Sequence, residues 1–133
     1  DYPAVWGKDD KYYLDHGFNG EKQSGGTIFA DSQNIPFVSA NTIFYGHNMK
    51  DGSMFGDLKK YRDPGFLKEH PNVEIFYQGQ WITCPIILAK VTDETDGTPY
   101  QKGERKILTL STCYGTSKRM ILQALIPVAG GMN

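Results

Sequence analysis

Six short runs rich in β-branched and aromatic residues, at 27–29, 42–45, 73–77, 81–91, 107–112 and 119–126, run the length of this chain, most of them bounded by Gly, Pro, Asn or Asp. Side chains branched at Cβ or carrying rings suit a pleated, half-buried surface, and the bounding residues suit turns, so the pattern predicts short strands. Gln78-Gly79-Gln80 lies between two of the runs and predicts a tight hairpin, because glycine supplies the positive φ that such a turn requires. Helical periodicity is scarce. One helix is expected from Ser53, as N-cap, to Arg62, with Met54, Leu58 and Tyr61 forming an apolar stripe. Gly56 weakens that helix by about 1 kcal/mol relative to alanine. A further single turn fits between Asp63 and Pro71, which stops it. Many short strands with one or two short helices predict an all-β (mainly β) class and a closed or nearly closed barrel rather than a parallel α/β sheet.

Composition limits the function classes. The 133 residues, 39% of them hydrophobic, are enough for one core, so a single domain over 1–133 is expected. Fourteen Lys and Arg against fifteen Asp and Glu, with no basic run, argue against a nucleic-acid partner. No stretch approaches the roughly 18 to 20 continuous apolar residues that span a bilayer. Asp1 opens directly into polar sequence, so any membrane anchor or signal is expected ahead of residue 1.

Two cysteines allow one disulfide at most, and their settings differ. Cys84 sits in the apolar run Trp81-Ile-Thr-Cys-Pro-Ile-Ile-Leu88 and reads as a small buried hydrophobe. Cys113 ends the run from Lys106 and is followed by Tyr114-Gly-Thr-Ser-Lys118, which has turn composition, so its thiol is expected at a strand end within reach of substrate. A cysteine nucleophile needs a base or cation beside it and donors for the oxyanion formed on acyl attack. Of three histidines, His70 in a charged segment and His16 in a turn read as peripheral. His47 directly follows the strand that ends at Gly46 and is the candidate base. Arg119 opens the last strand six positions after Cys113, and its planar donor set suits a carbonyl or its oxyanion.

Thr109-Leu-Ser-Thr-Cys113 resembles the sortase signature Thr-Leu-x-Thr-Cys. Tyr45-Gly-His-Asn-Met49 with Asp51-Gly-Ser-Met-Phe-Gly-Asp-Leu58 is similar to the histidine segment of the class B branch, as are Tyr12-Tyr-Leu14 and Gly26-Thr-Ile-Phe-Ala-Asp31 to the start of its catalytic domain. The resemblance runs from about residue 4 to residue 128. It implies a barrel of about eight strands and a cysteine transpeptidase of Gram-positive bacteria, anchored at the extracellular face of the membrane and monomeric. Cys113 would attack the Thr carbonyl of a sorting motif of the Leu-Pro-x-Thr-Gly or Asn-Pro-x-Thr type. His47 would protonate the leaving amine and later activate a cell-wall amine acceptor, and Arg119 would hold the scissile carbonyl. A thioester links the two steps, and no metal or organic cofactor is implied. Leu14, Ser111, Thr112 and Tyr114 are the residues expected to grip the peptide.

Two features depart from the class B pattern. Residues 92–106 form a short polar stretch where that branch usually carries a helix-bearing insertion, and Cys113 and Arg119 are closer in sequence than is usual there. Both suggest further residues, around Thr92 to Tyr100 and between Cys113 and Lys118, and both touch substrate-binding segments rather than the chemistry. A papain-like hydrolase would place its cysteine before its histidine and at a helix start, which this order does not match. A non-enzymatic peptide-binding barrel would bury the Cys113 thiol.

Overall fold

The strand-forming runs resolve into one sheet. The computed structural model describes residues 4–6, 26, 28–30, 40–50, 54–101 and 105–127. Among them, β1 (Ala4–Trp6), β2 (Ile28–Ala30), β3 (Asn41–Tyr45), β4 (Asn72–Tyr77), β5 (Gln80–Asp93), β6 (Ile107–Tyr114) and β7 (Lys118–Leu125) join in the order β1-β2-β3-β6-β7-β5-β4. All six expected runs are strands, each within two residues of its expected bounds. β1 was not foreseen: three residues are too few to show a period, and it is held by its parallel pairing with β2. The class is mainly β, as expected; the described residues contribute seven strands to a curled sheet, which is compatible with the expected barrel of about eight.

The curl has a local cause in β5. Its first half, Gln80 to Pro85, pairs with β4, and its second half, Ile86 to Asp93, pairs with β7. Pro85 sits at the changeover, where a residue without an N–H removes a ladder bond, and the register shifts between Ile86 and Leu88. The Ile86 N–H goes to the Pro71 carbonyl at 2.9 Å. The β4–β5 hairpin closes through Gln78 (φ 51°) and Gly79 (φ 80°), with Tyr77 opposite Gln80. Positive φ at both turn positions matches the right-handed strand twist.

Side-chain alternation on β6 and β7 separates two faces. Leu108, Leu110, Met120, Leu122 and Ala124 face the core with Ile28, Phe55, Leu58 and Ile126. Cys84 lies there too, fully buried, and burial, with a smaller contribution from Glu74, pushes its thiol up to about 11. The other face carries Thr109, Ser111, Cys113 and Arg119.

The expected helix at 53–62 is a 3₁₀ helix over Gly56–Arg62, with Leu58 N–H bonded to the Phe55 carbonyl. Its cap position is Phe55 and carries no side-chain bond; Ser53 lies outside the described residues. Glycine stands at its first position because a Cβ on Gly56 would lie 2.3 Å from the Met49 carbonyl oxygen. The expected turn after it is α1 (Pro64–Glu69), capped by Asp63, whose carboxylate accepts from Gly65 N–H at 2.9 Å. No helix among the described residues is long and apolar enough to cross a membrane.

Candidate active site

The β6–β7 hairpin builds the centre of the site. Gly115, at φ +70°, turns the chain, and the ladder then pairs Tyr114 with Lys118 and Cys113 with Arg119. Directly opposed residues of an antiparallel pair project to the same side. Arg119 Nη1 accordingly lies 3.6 Å from Cys113 Sγ. Cys113 is exposed and unbridged.

His47 arrives from the other side of β6. β3 runs parallel to β6 with Tyr45 opposite Ser111, so two further residues along each strand bring the His47 backbone level with Cys113. Three contacts hold that register past the end of β3. Gly46 N–H donates to the Ser111 carbonyl (3.3 Å), Thr112 Oγ1 donates to the Gly46 carbonyl (2.7 Å), and Asn48 Nδ2 donates to the Cys113 carbonyl (2.9 Å). Phe55 N–H binds the His47 carbonyl at 2.9 Å. Gly46 packs closely on Phe55, whose ring a Cβ at this position would meet at 2.8 Å. Sheet order β3-β6-β7 therefore sets the His47 backbone on one side of Cys113 and Arg119 on the other.

Arg119 is held at a second point. Its Nε donates to Ser111 Oγ at 2.7 Å, that hydroxyl shares a 2.9 Å bond with Tyr100 Oη, and the Tyr45 ring centroid lies 5.7 Å from its Cζ. Tyr100 closes the 3₁₀ turn Thr98–Tyr100, which lies across this face of the sheet. Asn41 Nδ2 donates to the carbonyls of Pro99 (2.8 Å) and Gln101 (3.1 Å), and Gln123 Nε2 donates to that of Pro99 (2.9 Å). Upstream, Asp96 accepts from Thr92 Oγ1 (2.6 Å) and from the backbone and side chain of Thr98 (2.9 and 2.7 Å). Those bonds, led by Thr92, hold its carboxyl down to about 2.

The other expected site residues are placed differently from one another. Ser111 and Thr112 are buried, with their hydroxyls engaged to Arg119 and Tyr100 and to Gly46 respectively. Tyr114 projects to the core side, where its hydroxyl accepts from Arg62 and its ring lies 5.2 Å from that guanidinium. Leu14 and His16 lie outside the described residues. His70 is exposed and stacks on Phe66, with ring centroids 4.4 Å apart. Tyr45, Asn48 and Tyr100 had no separate signal in the sequence. No group of three or more His, Cys, Asp or Glu side chains among the described residues could hold a metal.

A sortase-domain family profile matches residues 5–126. Sortase B of Listeria monocytogenes is 40% identical over 156 aligned residues, spanning 92% of this chain and 63% of that protein. The chain therefore spans less than two thirds of that relative's length, and the aligned stretch exceeds the chain itself, so the relative carries additional residues within the matched region. Among solved structures, sortase B from Listeria monocytogenes superposes with a TM-score of 0.82 at 35% identity, covering 95% of this chain and 87% of that one. A Staphylococcus aureus sortase B–substrate complex does so with a TM-score of 0.82 at 26% identity, covering 96% and 74%. With its histidine and arginine strands flanking the signature cysteine, this chain belongs to the sortase family and is class B-like.

Proposed function

We propose that this chain is a sortase catalytic domain that cleaves a sorting motif after its threonine and passes the acyl group to an amine. The observation that carries this reading is the exposed Cys113 thiol with Arg119 Nη1 at 3.6 Å on one side and the His47 strand end level with it on the other. An exposed thiol beside a cation suits nucleophilic chemistry, whereas the buried Cys84 is inert packing.

In this reading Cys113 sulfur adds to the threonine carbonyl, and the guanidinium of Arg119 holds the oxygen as it gains charge. His47 gives its proton to the departing amine as the C–N bond breaks, leaving a thioester on Cys113. The incoming amine then loses a proton to His47, adds to the thioester, and expels the Cys113 thiolate. Atoms and charges balance without a metal or organic cofactor.

The substrate is a motif of the Leu-Pro-x-Thr-Gly or Asn-Pro-x-Thr type, and the acceptor a cell-wall precursor amine. The enzyme works as a monomer at the extracellular face of a Gram-positive membrane, anchored through a segment ahead of this domain. Family membership and a substrate-bound class B neighbour support these assignments. Leu14, Ser111, Thr112 and Tyr114 are the residues assigned to grip the peptide. The test is incubation with a panel of motif peptides, with and without an amine acceptor, read by mass spectrometry. Cleavage after Thr with a product carrying the amine is expected; hydrolysis alone at every acceptor concentration would assign a protease instead.

A further inference from the structure

We infer that Tyr100 is a positioning residue for the reaction, setting through Ser111 the direction in which the Arg119 guanidinium points. This inference rests on the proposed role of Arg119 at the scissile carbonyl.

An arginine side chain has many rotamers, and its usefulness as a carbonyl clamp depends on which donors point at the reacting atom. Here Nε–H is tied to Ser111 Oγ at 2.7 Å, which leaves Nη1 directed to the Cys113 sulfur. The Ser111 hydroxyl is itself fully buried and has one proton and two lone pairs. One lone pair takes the Arg119 Nε–H, and the remaining capacity meets Tyr100 Oη at 2.9 Å. Rotation of the Ser111 hydroxyl away from Arg119 would break the bond to Tyr100, so the phenol fixes the acceptor on which the guanidinium pivots.

Tyr100 is in turn fixed to the sheet. Asn41 and Gln123, from β3 and β7, grip the carbonyls on either side of it, and Asn41 Oδ1 accepts from Thr109 Oγ1 at 2.6 Å. The ring of Tyr45 lies 5.7 Å from the Arg119 guanidinium and 6.1 Å from the Tyr100 ring, closing the same corner. A chain of contacts thus runs from sheet to Tyr100, Ser111, Arg119 and the thiol.

The test is steady-state transfer kinetics of Tyr100→Phe, Ser111→Ala and Ser111→Thr, alone and combined with Arg119→Lys. Tyr100→Phe removes one oxygen and should lower kcat by roughly 3- to 10-fold, the worth of one hydrogen bond, with KM for the peptide unchanged. Ser111→Ala should lower kcat at least as much, and Ser111→Thr, which keeps the hydroxyl, should restore it. Neither loss should recur on the Arg119→Lys background, where the guanidinium is gone. A wild-type kcat in Tyr100→Phe, a raised KM with unchanged kcat, or an undiminished loss on the Arg119→Lys background would each overturn the inference. Full transfer activity in Arg119→Ala would instead overturn the role of Arg119 itself. An inactive Arg119→Ala beside a wild-type Tyr100→Phe removes only the role of Tyr100.

Discussion

Arg119 meets the sulfur of Cys113 at 3.6 Å because the two residues are direct partners in the β6–β7 ladder. The geometry follows from the length of the turn between them. A slip of one residue in that hairpin would send Arg119 to the core face, against Met120's neighbours, and leave the thiol without its cation.

Arg119→Ala should therefore lower kcat by about 100-fold or more, the loss typical of an oxyanion donor. Arg119→Lys should recover little, because a point charge cannot bond Ser111 and still present donors at the thiol. Transfer assays on the two variants check this, and wild-type-like turnover in Arg119→Lys would refute the need for the guanidinium's two separate donors.

The two cysteines should separate by reactivity. Iodoacetamide at neutral pH should add one label, at Cys113, and the buried Cys84 should react only after denaturation. Mass spectrometry of the folded and unfolded protein reads this out. Cys113→Ala should abolish transfer and leave the thermal midpoint unchanged. The folded-state value for Cys84 is raised from 9.0 to about 11, so the neutral thiol contributes stability that is complete below about 9 and is lost as pH rises through 11.

Gly56→Ala should destabilise more than Gly46→Ala. At Gly56 the added methyl meets backbone, the Met49 oxygen at 2.3 Å, whereas at Gly46 it meets side chains, Phe55 Cδ2 at 2.8 Å and Cγ at 2.9 Å and Ile28 Cγ1 at 3.1 Å, which can shift further than backbone can. Overpacking of this kind costs about 1–3 kcal/mol, and Gly56 belongs at or beyond the upper end. Gly46→Ala should in addition lower kcat, because it displaces the residue before His47. Thermal melts rank the two, and equal midpoints would contradict the contact geometry.

Asp96 should give the loop that carries Tyr100 a pH-dependent stability. Its carboxyl is lowered to about 2 by bonds from Thr92 and Thr98, so its contribution is present above the unfolded value near 3.9 and lost as pH falls toward 2. The difference in thermal midpoint between wild type and Asp96→Asn should be constant above about pH 5 and shrink below it. A difference that grows on acidification would show that another group holds the loop.

The sequence determined by itself whatever depends on neighbours close in the chain. Branching at Cβ and alternation marked six strands, Gly79 marked the hairpin, and the six-residue spacing of Cys113 and Arg119 across a turn put them side by side. The resemblance at Thr109 to Cys113 and at Tyr45 to Met49 pointed to the family on short motifs that survive without any tertiary context. The start of the 3₁₀ helix was not legible, since its cap position, Phe55, carries no side-chain bond of the kind that marks a helix start in sequence.

Tertiary structure alone decided the rest. The His47 backbone comes level with Cys113 only because β3 lies parallel to β6 with Tyr45 opposite Ser111, and a parallel register between distant segments leaves no local trace. The bonds of the Ser111 hydroxyl to Arg119 and Tyr100 likewise had no trace in the sequence, because they join β6 to β7 and to the 98–101 segment. Polar loop residues such as Tyr100 carry no periodicity that could reveal their partners. Those partners exist only once Asn41 and Gln123, from strands far apart in the chain, close around the same carbonyl.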